Sequence, residues 1–208
     1  MNDKKKVRGR GFRDTLGLER DVVVMSTAVF LFGAGEELWK SFLPKYLEAL
    51  GASAAVIGVF GATRDFLDAT YQYPGGAVSD RIGSRRALVL FAGLAVAGYL
   101  VYAFAWSWPL MFVGLAFGMA WTSMASPAMF AMIAERLPRE RRTMGFTVQA
   151  ILKRVPVMFS PAIGGLLIGS LGLIGGMRAS LLVTAALALI AIIVQRRLYN
   201  IRLDGAES

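Results

Sequence analysis

Charged side chains inside long apolar blocks are the residues of this sequence that could do chemistry. Glu36 and Lys40 are four residues apart, as are Arg64 and Asp68, and Glu37 and Lys40 are three apart. Each spacing places two opposite charges on one helix face, where they can interact. The candidate binding and coupling residues are Glu36, Glu37, Lys40, Arg64, Asp65, Asp68, Tyr71, Gln72, Trp121, Gln149, Lys153 and Arg154.

Some of these side chains have more specific expected roles. Glu37 and Asp68 are the candidate proton carriers, because the chain has no histidine that could relay a proton. Lys153 and Arg154 are adjacent, about 100° apart on a helix, so one of them can point at the centre and attract an anionic or polar solute group. The alternative is a closed salt-bridge network that only holds the helices together. Mutual attraction seldom offsets the removal of so many ions from water, which favours a wet cavity.

The apolar blocks that carry these residues are long enough to cross a membrane as helices. A hydrocarbon core of ~30 Å needs about 20 mostly apolar residues in a helix. A chain that is 56% hydrophobic and 18% charged, with its apolar residues gathered in blocks, is typical of a membrane protein. The third and sixth blocks contain no charge, and we expect them to face lipid. The six predicted spans are residues 22–43, 54–78, 87–106, 110–133, 144–168 and 179–195.

The distribution of the basic residues predicts the topology. Most of the 23 Lys and Arg residues lie in the N-terminal tail, in the second–third and fourth–fifth links and after the sixth span. Because such segments stay in the cytosol, we expect both termini to be cytoplasmic in the plasma or inner membrane. The sequence divides into a basic tail (1–21), a six-helix bundle (22–195) and a cytoplasmic tail or start of a central linker (196–208). Six spans leave no soluble face for nucleic acid.

The residue types that are absent exclude several kinds of site. The chain has no cysteine and no histidine, which argues against disulfides, thiolate chemistry and zinc binding. No pairing of a serine with a base points to a catalytic site. We therefore expect no metal, no cofactor and no enzymatic activity.

The link between the second and third spans has a compact pattern of glycines and charges. Gly76 can let neighbouring helices approach, Gly83 permits a positive φ in a tight turn, and Asp80 can accept from free N–H groups at a helix start. The pattern is similar to the signature cytoplasmic loop of the major facilitator superfamily. That resemblance implies a conformational switch that latches two halves of a transporter together. The predicted switch residues are Gly76, Asp80, Arg81, Gly83, Arg85 and Arg86.

A weaker resemblance lies in the fifth span, from Ser160 to Gly165. Pro161, Gly164 and Gly165 match the Gly-Pro-x-x-Gly-Gly element of the superfamily's antiporters, with Ser160 in place of the first glycine. The resemblance implies antiport, and we expect the proline to bend the helix and the glycines to allow close packing. Helix packing alone is the alternative explanation.

Together the resemblances imply the fold and the function. They predict an all-α membrane protein with six transmembrane helices in a 3+3 inverted repeat, similar to the N-terminal half of a major facilitator protein. Its partners would be lipid, a small-molecule solute and a second six-helix half, either another copy or a separate or missing C-terminal domain. The implied function is secondary active transport of a small polar or amphipathic solute by alternating access, including proton-coupled antiport or efflux. The alternative is a non-transporting assembly subunit or a truncated half-transporter.

Overall fold

The computed structural model of the chain describes residues 20–136 and 139–204, and every regular element in these two ranges is helical. We number the α-helices in chain order. A 3₁₀ turn, Lys40–Phe42, follows the first helix, and a π-helical turn, Ala120–Met124, joins the fifth to the sixth. The helices are α1 (Arg20–Trp39), α2 (Leu43–Ala49), α3 (Ala54–Ile82), α4 (Ser84–Ala103), α5 (Trp108–Met119), α6 (Ala125–Arg136) and α7 (Arg139–Asp204).

Membrane-crossing length and composition are met by three helical stretches of the described chain. They are Ser84–Ala103, Trp108–Ala134 and Thr143–Arg196. The first of these is α4, the second joins α5 to α6 through the π turn, and the third lies within α7. The first two predicted spans lie mainly in α1 and α3. The charged side chains of these two helices lower their mean hydropathy. These three stretches agree with the multi-pass membrane prediction, and the count of six crossings stays a prediction.

The long helix α7 folds back on itself at Gly172. This glycine has φ 73° and ψ 168°, which is far from helical geometry. A Cβ added to Gly176 would overlap the backbone of Ile168, although eight residues of straight helix span about 12 Å. The chain must therefore reverse between them. One arm, residues 139–171, holds the fifth predicted span, and the other, residues 173–204, holds the sixth.

The helix α1 packs so closely against both arms of α7 that its main-chain atoms are in contact with them. A Cβ added to Gly164 in the first arm would overlap the carbonyl oxygen of Leu38. From the second arm, Thr184 Oγ1 donates a hydrogen bond of 2.8 Å to the carbonyl oxygen of Gly35. These two contacts fix α1 between the arms, and they fix the orientation of the acidic residues that follow Gly35.

The glycines of the fifth predicted span differ in how closely other parts of the chain approach them. Gly164 makes the close approach, a Cβ added to Gly165 would lie 3.6 Å from the ring of Phe42, and nothing lies within 4 Å of a Cβ at Gly169. Pro161 lies inside α7, whose non-helical backbone angles are those of Gly172. The bend expected at Pro161 stays a prediction.

Aromatic side chains form the core beside these contacts. The ring of Phe32 in α1 stacks on Trp121 with centroids 4.0 Å apart. Trp39, at the end of α1, meets the rings of Tyr99 and Tyr102 edge-on at 6.1 and 5.6 Å. The outward face of the second arm of α7 is apolar and exposed, as expected for a surface in lipid.

The link between α3 and α4 is a tight turn. Gly83 has φ 84°, the positive value expected at this position. The hydroxyl of Ser79 donates to the hydroxyl of Ser84 across the turn at 3.4 Å. The expectation that Asp80 caps the next helix is wrong, because Asp80 lies in the last turn of α3 and α4 begins without a side-chain cap.

The close helix approach near this link is made by Gly75 and not by Gly76. A Cβ on Gly75 would lie 2.5 Å from the carbonyl oxygen of Met124, whereas one on Gly76 would lie 3.9 Å from Pro127. The helix period decides between these neighbours, because one residue changes the direction of a side chain by about 100°. Gly75 thereby brings α3 against the π turn.

Candidate functional site

A cavity of about 240 Å³ lies among α1, α3, α4 and α5. Five of the residues proposed from the sequence line it, namely Glu36, Lys40, Arg64, Asp65 and Asp68. Its other lining residues are mostly aromatic and apolar, and the pattern of charges in the sequence does not single them out. These are Trp39, Leu43, Tyr99, Tyr102, Leu115, Gly118, Met119 and Thr122.

The spacing in the sequence predicts one of the two ion pairs at the cavity and not the other. Lys40 Nζ lies 3.3 Å from Glu37 Oε1, although Glu36 also lies within a helical turn of it. Arg64 Nε lies 3.7 Å from Asp65 Oδ1, and not against Asp68. Within the described part of the chain, neither Glu36 nor Asp68 has a cationic side chain within ion-pair distance.

The carboxylate of Glu36 accepts hydrogen bonds from hydroxyl groups on two other helical segments. The Tyr99 hydroxyl of α4 donates to Glu36 Oε1 at 2.5 Å. The Thr122 hydroxyl of the π turn donates to the same oxygen at 3.2 Å. Neutral donors thus hold the carboxylate in place without cancelling its charge.

The carboxylate of Asp68 is held in a similar way. The Ser123 hydroxyl donates to Asp68 Oδ1 at 2.6 Å, and Ser123 is the neighbour of Thr122 in the π turn. Adjacent residues of a regular α-helix point about 100° apart, and a π turn inserts one extra residue that changes this relation. Two consecutive hydroxyls of the turn Ala120–Met124 therefore reach carboxylates on two different helices.

The sequence contained one signal for this arrangement that its charge pattern obscured. Thr122 and Ser123 are consecutive hydroxyl residues in an apolar block whose one other hydroxyl residue is Ser126. Tyr99 and Tyr102 lie in the third span, which we expected to face lipid, and both are nearly fully buried against the cavity. A tyrosine in an apolar helix has too many structural roles for its position alone to indicate a site.

The other proposed site residues lie outside the cavity wall. Trp121 is buried under the stacked ring of Phe32, and Gln149 is buried in the first arm of α7. Gln72 is exposed, and its side chain donates to the main-chain oxygen of Asp68 at 3.4 Å. The remaining four are the partly buried Glu37 of α1 and Tyr71 of α3 and the exposed Lys153 and Arg154 of α7.

The arrangement suits solute binding better than bond chemistry. Among the described residues, no group of three or more acidic, cysteine or histidine side chains could hold a metal ion. Fixed carboxylates beside aromatic rings can recognise a polar or charged molecule and can exchange it with the surrounding water.

Comparison with known proteins assigns the family. A search of curated proteins finds no match. The model of the Major Facilitator Superfamily matches residues 25–204, which is most of the chain and includes all of the residues that line the cavity. Members are multi-pass membrane transporters for small solutes and are not enzymes. On this match, which agrees with the basic loop and the polar cavity, the chain belongs to the Major Facilitator Superfamily.

Proposed function

We propose that the chain serves secondary active transport of a small polar or amphipathic solute by alternating access, with the cavity as its binding site. The observation that carries the proposal is the pair of carboxylates, Glu36 and Asp68, fixed in the cavity without a cationic partner among the described residues. Charge at membrane depth is costly and usually marks a substrate or ion pathway.

The depth of these groups supports the proposal. Asp68 lies fourteen residues after Ala54, where α3 begins, and Arg64 lies ten residues after it. At 1.5 Å per residue Arg64 lies about 15 Å along the helix axis, at the middle of a hydrocarbon core of ~30 Å, and Asp68 lies about 21 Å along it, one turn nearer the cytoplasmic side. Transporter binding sites usually lie near that level.

The exposure of the charges argues against a network that only braces the helices. The side chains of Arg64 and Asp65 are 45% and 79% exposed, and that of Lys40 is 42% exposed. Groups that are this open exchange partners easily, and ion pairs of this kind contribute little to stability. A wet cavity explains them better than structural salt bridges do.

The full transport cycle requires a second six-helix half. Lys153 and Arg154 are exposed on the first arm of α7, and we assign them to the surface that faces this second half. We also propose six crossings in the plasma or inner membrane with both termini in the cytoplasm, since the basic links favour this side. The loop from Gly76 to Arg86 would then latch the halves.

Proton-coupled antiport is the coupling mode that we propose. Its support is that Glu36 and Asp68 are the cavity carboxylates without an ion-pair partner among the described residues, so a proton and a solute could compete for them. Glu37, which we proposed as a carrier from the sequence, pairs with Lys40 in the structure. Glu36 therefore takes its place beside Asp68.

The test of the proposed function works without a known solute. Membrane vesicles that contain the full chain with its native partner would be loaded with a cell extract, and mass spectrometry would measure which solutes leave. We expect at least one solute to exchange in the native protein and to stop exchanging in Glu36→Gln and Asp68→Asn. The control is Glu48→Gln, an exposed acid of α2 outside the cavity. If no solute exchanges, the chain is a non-transporting subunit and the proposal is wrong.

A further inference from the structure

The charge balance of the cavity is negative. Three acids line the wall, Glu36, Asp65 and Asp68, together with two bases, Lys40 and Arg64. Lys40 pairs with Glu37 and Arg64 with Asp65. The carboxylates of Glu36 and Asp68 are then left with hydroxyl partners only, among the described residues. Two carboxylates therefore stay without a cationic partner on the wall.

The aromatic residues of the same wall suit a positively charged ligand. Trp39, Tyr99 and Tyr102 all line the cavity, and the ring centroids of Trp39 lie 6.1 and 5.6 Å from those of the two tyrosines in edge-on pairs. The three residues are buried, so their rings lie behind the surface of the cavity. The faces of tryptophan and tyrosine rings attract a cation that lies within about 6 Å of the ring centroid. Carboxylates next to such rings add direct charge attraction.

An unmet hydrogen-bond donor in the same wall also points to a ligand. Trp39 is 7% exposed, and its indole Nε1 has no hydrogen-bond partner among the described residues. Buried donors in native proteins nearly always have an acceptor. The residue lines the cavity but the nitrogen is covered, so the ring of Trp39 would have to turn for an acceptor on a bound solute to complete it.

We propose that the solute is a small organic cation, held between the carboxylates of Glu36 and Asp68 and the rings of Trp39, Tyr99 and Tyr102. The inference rests on the proposed transport function and names its substrate class. A cavity of about 240 Å³ fits a compact ammonium compound. A cationic solute replaces the anionic or polar solute group that the sequence led us to expect at Lys153 or Arg154, because neither residue lies in the cavity wall.

The π turn determines where the two carboxylates of this site lie. Thr122 binds the carboxylate of α1 and Ser123 binds that of α3, so one short turn sets the positions of both negative groups. Because neutral hydroxyls hold the carboxylates, their charge stays available for the solute. A lysine or arginine in place of either hydroxyl would cancel it.

The experiment is a thermal unfolding titration of the full chain with its native partner in lipid nanodiscs. The probes are tetramethylammonium, choline and tetraethylammonium, each against sodium chloride at equal ionic strength. Comparison compounds are the neutral choline isostere 3,3-dimethylbutan-1-ol and the anion 3,3-dimethylbutanoate. We expect at least one cation to raise the unfolding temperature with saturation, since a ligand that binds the folded state stabilises it. The neutral and anionic compounds should have no such effect.

Variants locate the effect within the cavity. Glu36→Gln and Asp68→Asn should each weaken the apparent affinity for the cation about tenfold or more, the size expected when one close ion pair is lost. Glu48→Gln should bind it as the native protein does. The inference is overturned if no cation shifts the unfolding temperature, if the neutral isostere shifts it equally, or if both cavity variants retain the affinity.

The two proposals fail in different ways. Carboxylate-dependent exchange of neutral or anionic solutes in the loaded vesicles would overturn the cation inference and leave the transport function standing. The absence of any exchange would overturn the transport function itself.

Discussion

Hydroxyl groups, and not opposite charges, hold the two carboxylates of the cavity. Tyr99 and Thr122 bind Glu36, and Ser123 binds Asp68. A hydroxyl orients a carboxylate and keeps its charge, whereas a lysine or arginine would neutralise it. At the scale of single residues, this is what lets a bundle of apolar helices keep two negative charges available for a solute.

Replacing Tyr99 with phenylalanine tests the shortest of these bonds. Its hydroxyl donates to Glu36 at 2.5 Å, while its ring packs against Phe32 and Trp39 and should stay in place. We expect Tyr99→Phe to lower the free energy of unfolding by about 1.5–3 kcal/mol, the usual contribution of a hydrogen bond to a charged group. Thermal or denaturant unfolding in detergent measures it.

The matched control is Tyr102→Phe. Tyr102 lines the same cavity and its ring packs against Trp39, but its hydroxyl does not contact Glu36. Equal stability of the two variants would contradict the importance of the bond between Tyr99 and Glu36.

The sequence could identify the charged residues but not their pairing. Spacings of three and four residues both allow contact on a helix, so Lys40 had two acids to choose from. The 3₁₀ turn that begins at Lys40 changes the direction of that side chain, and Tyr99 and Thr122 take up Glu36. Tyr99 and Thr122 lie far from Glu36 in the sequence, and the 3₁₀ turn is a local break in the helix. The spacing of charges along one helix reveals neither.

Close contact between helices positions these residues. The backbone of α1 touches the first arm of α7 where Gly164 meets the carbonyl oxygen of Leu38. Backbone contact leaves no flexible side chain to move aside, so a methyl group at this position must push the two helices apart. The acids that precede Leu38 on α1 would move with them.

Gly164→Ala and Gly169→Ala form a matched pair within one arm of α7. An added Cβ at Gly164 would overlap Leu38 O, whereas one at Gly169 has nothing within 4 Å. We expect Gly164→Ala to destabilise the protein by about 1–3 kcal/mol or more through overpacking. Gly169→Ala should be neutral or stabilising, because alanine favours a helix over glycine by about 1 kcal/mol. Unfolding temperatures in nanodiscs compare them, and a Gly164→Ala variant as stable as Gly169→Ala would contradict the packing.

Helices were easier to predict than the irregularities within them. Apolar length located the helical segments, and a positive charge excess marked the links between them. The π turn Ala120–Met124 was not predicted, because one extra residue within a helix does not change the apolar length of the block. The two last predicted spans, 144–168 and 179–195, require a reversal between them, but its position at Gly172 was not predicted, since this glycine is one of several in the link.

The whole molecule brings together residues that are far apart in the chain. The cavity takes side chains from 36 to 122, and a loop pattern near residue 80 carried the family resemblance. A local pattern can therefore indicate the family, which the match over residues 25–204 confirms. The solute class depends on which charges remain uncompensated after folding, and only the assembled bundle determines that.

Access to the cavity from both sides of the membrane tests alternating access most directly. The chain has no cysteine, so a Thr122→Cys variant reports only on its own position in the cavity wall. Leu189→Cys, on the exposed apolar face of α7, is the control, because a thiol in lipid does not ionise and reacts slowly. We predict that a small membrane-impermeant thiol reagent labels Thr122→Cys from either compartment and leaves Leu189→Cys unlabelled. Labelling of Thr122→Cys from one side only, or from neither, would contradict alternating access through this cavity.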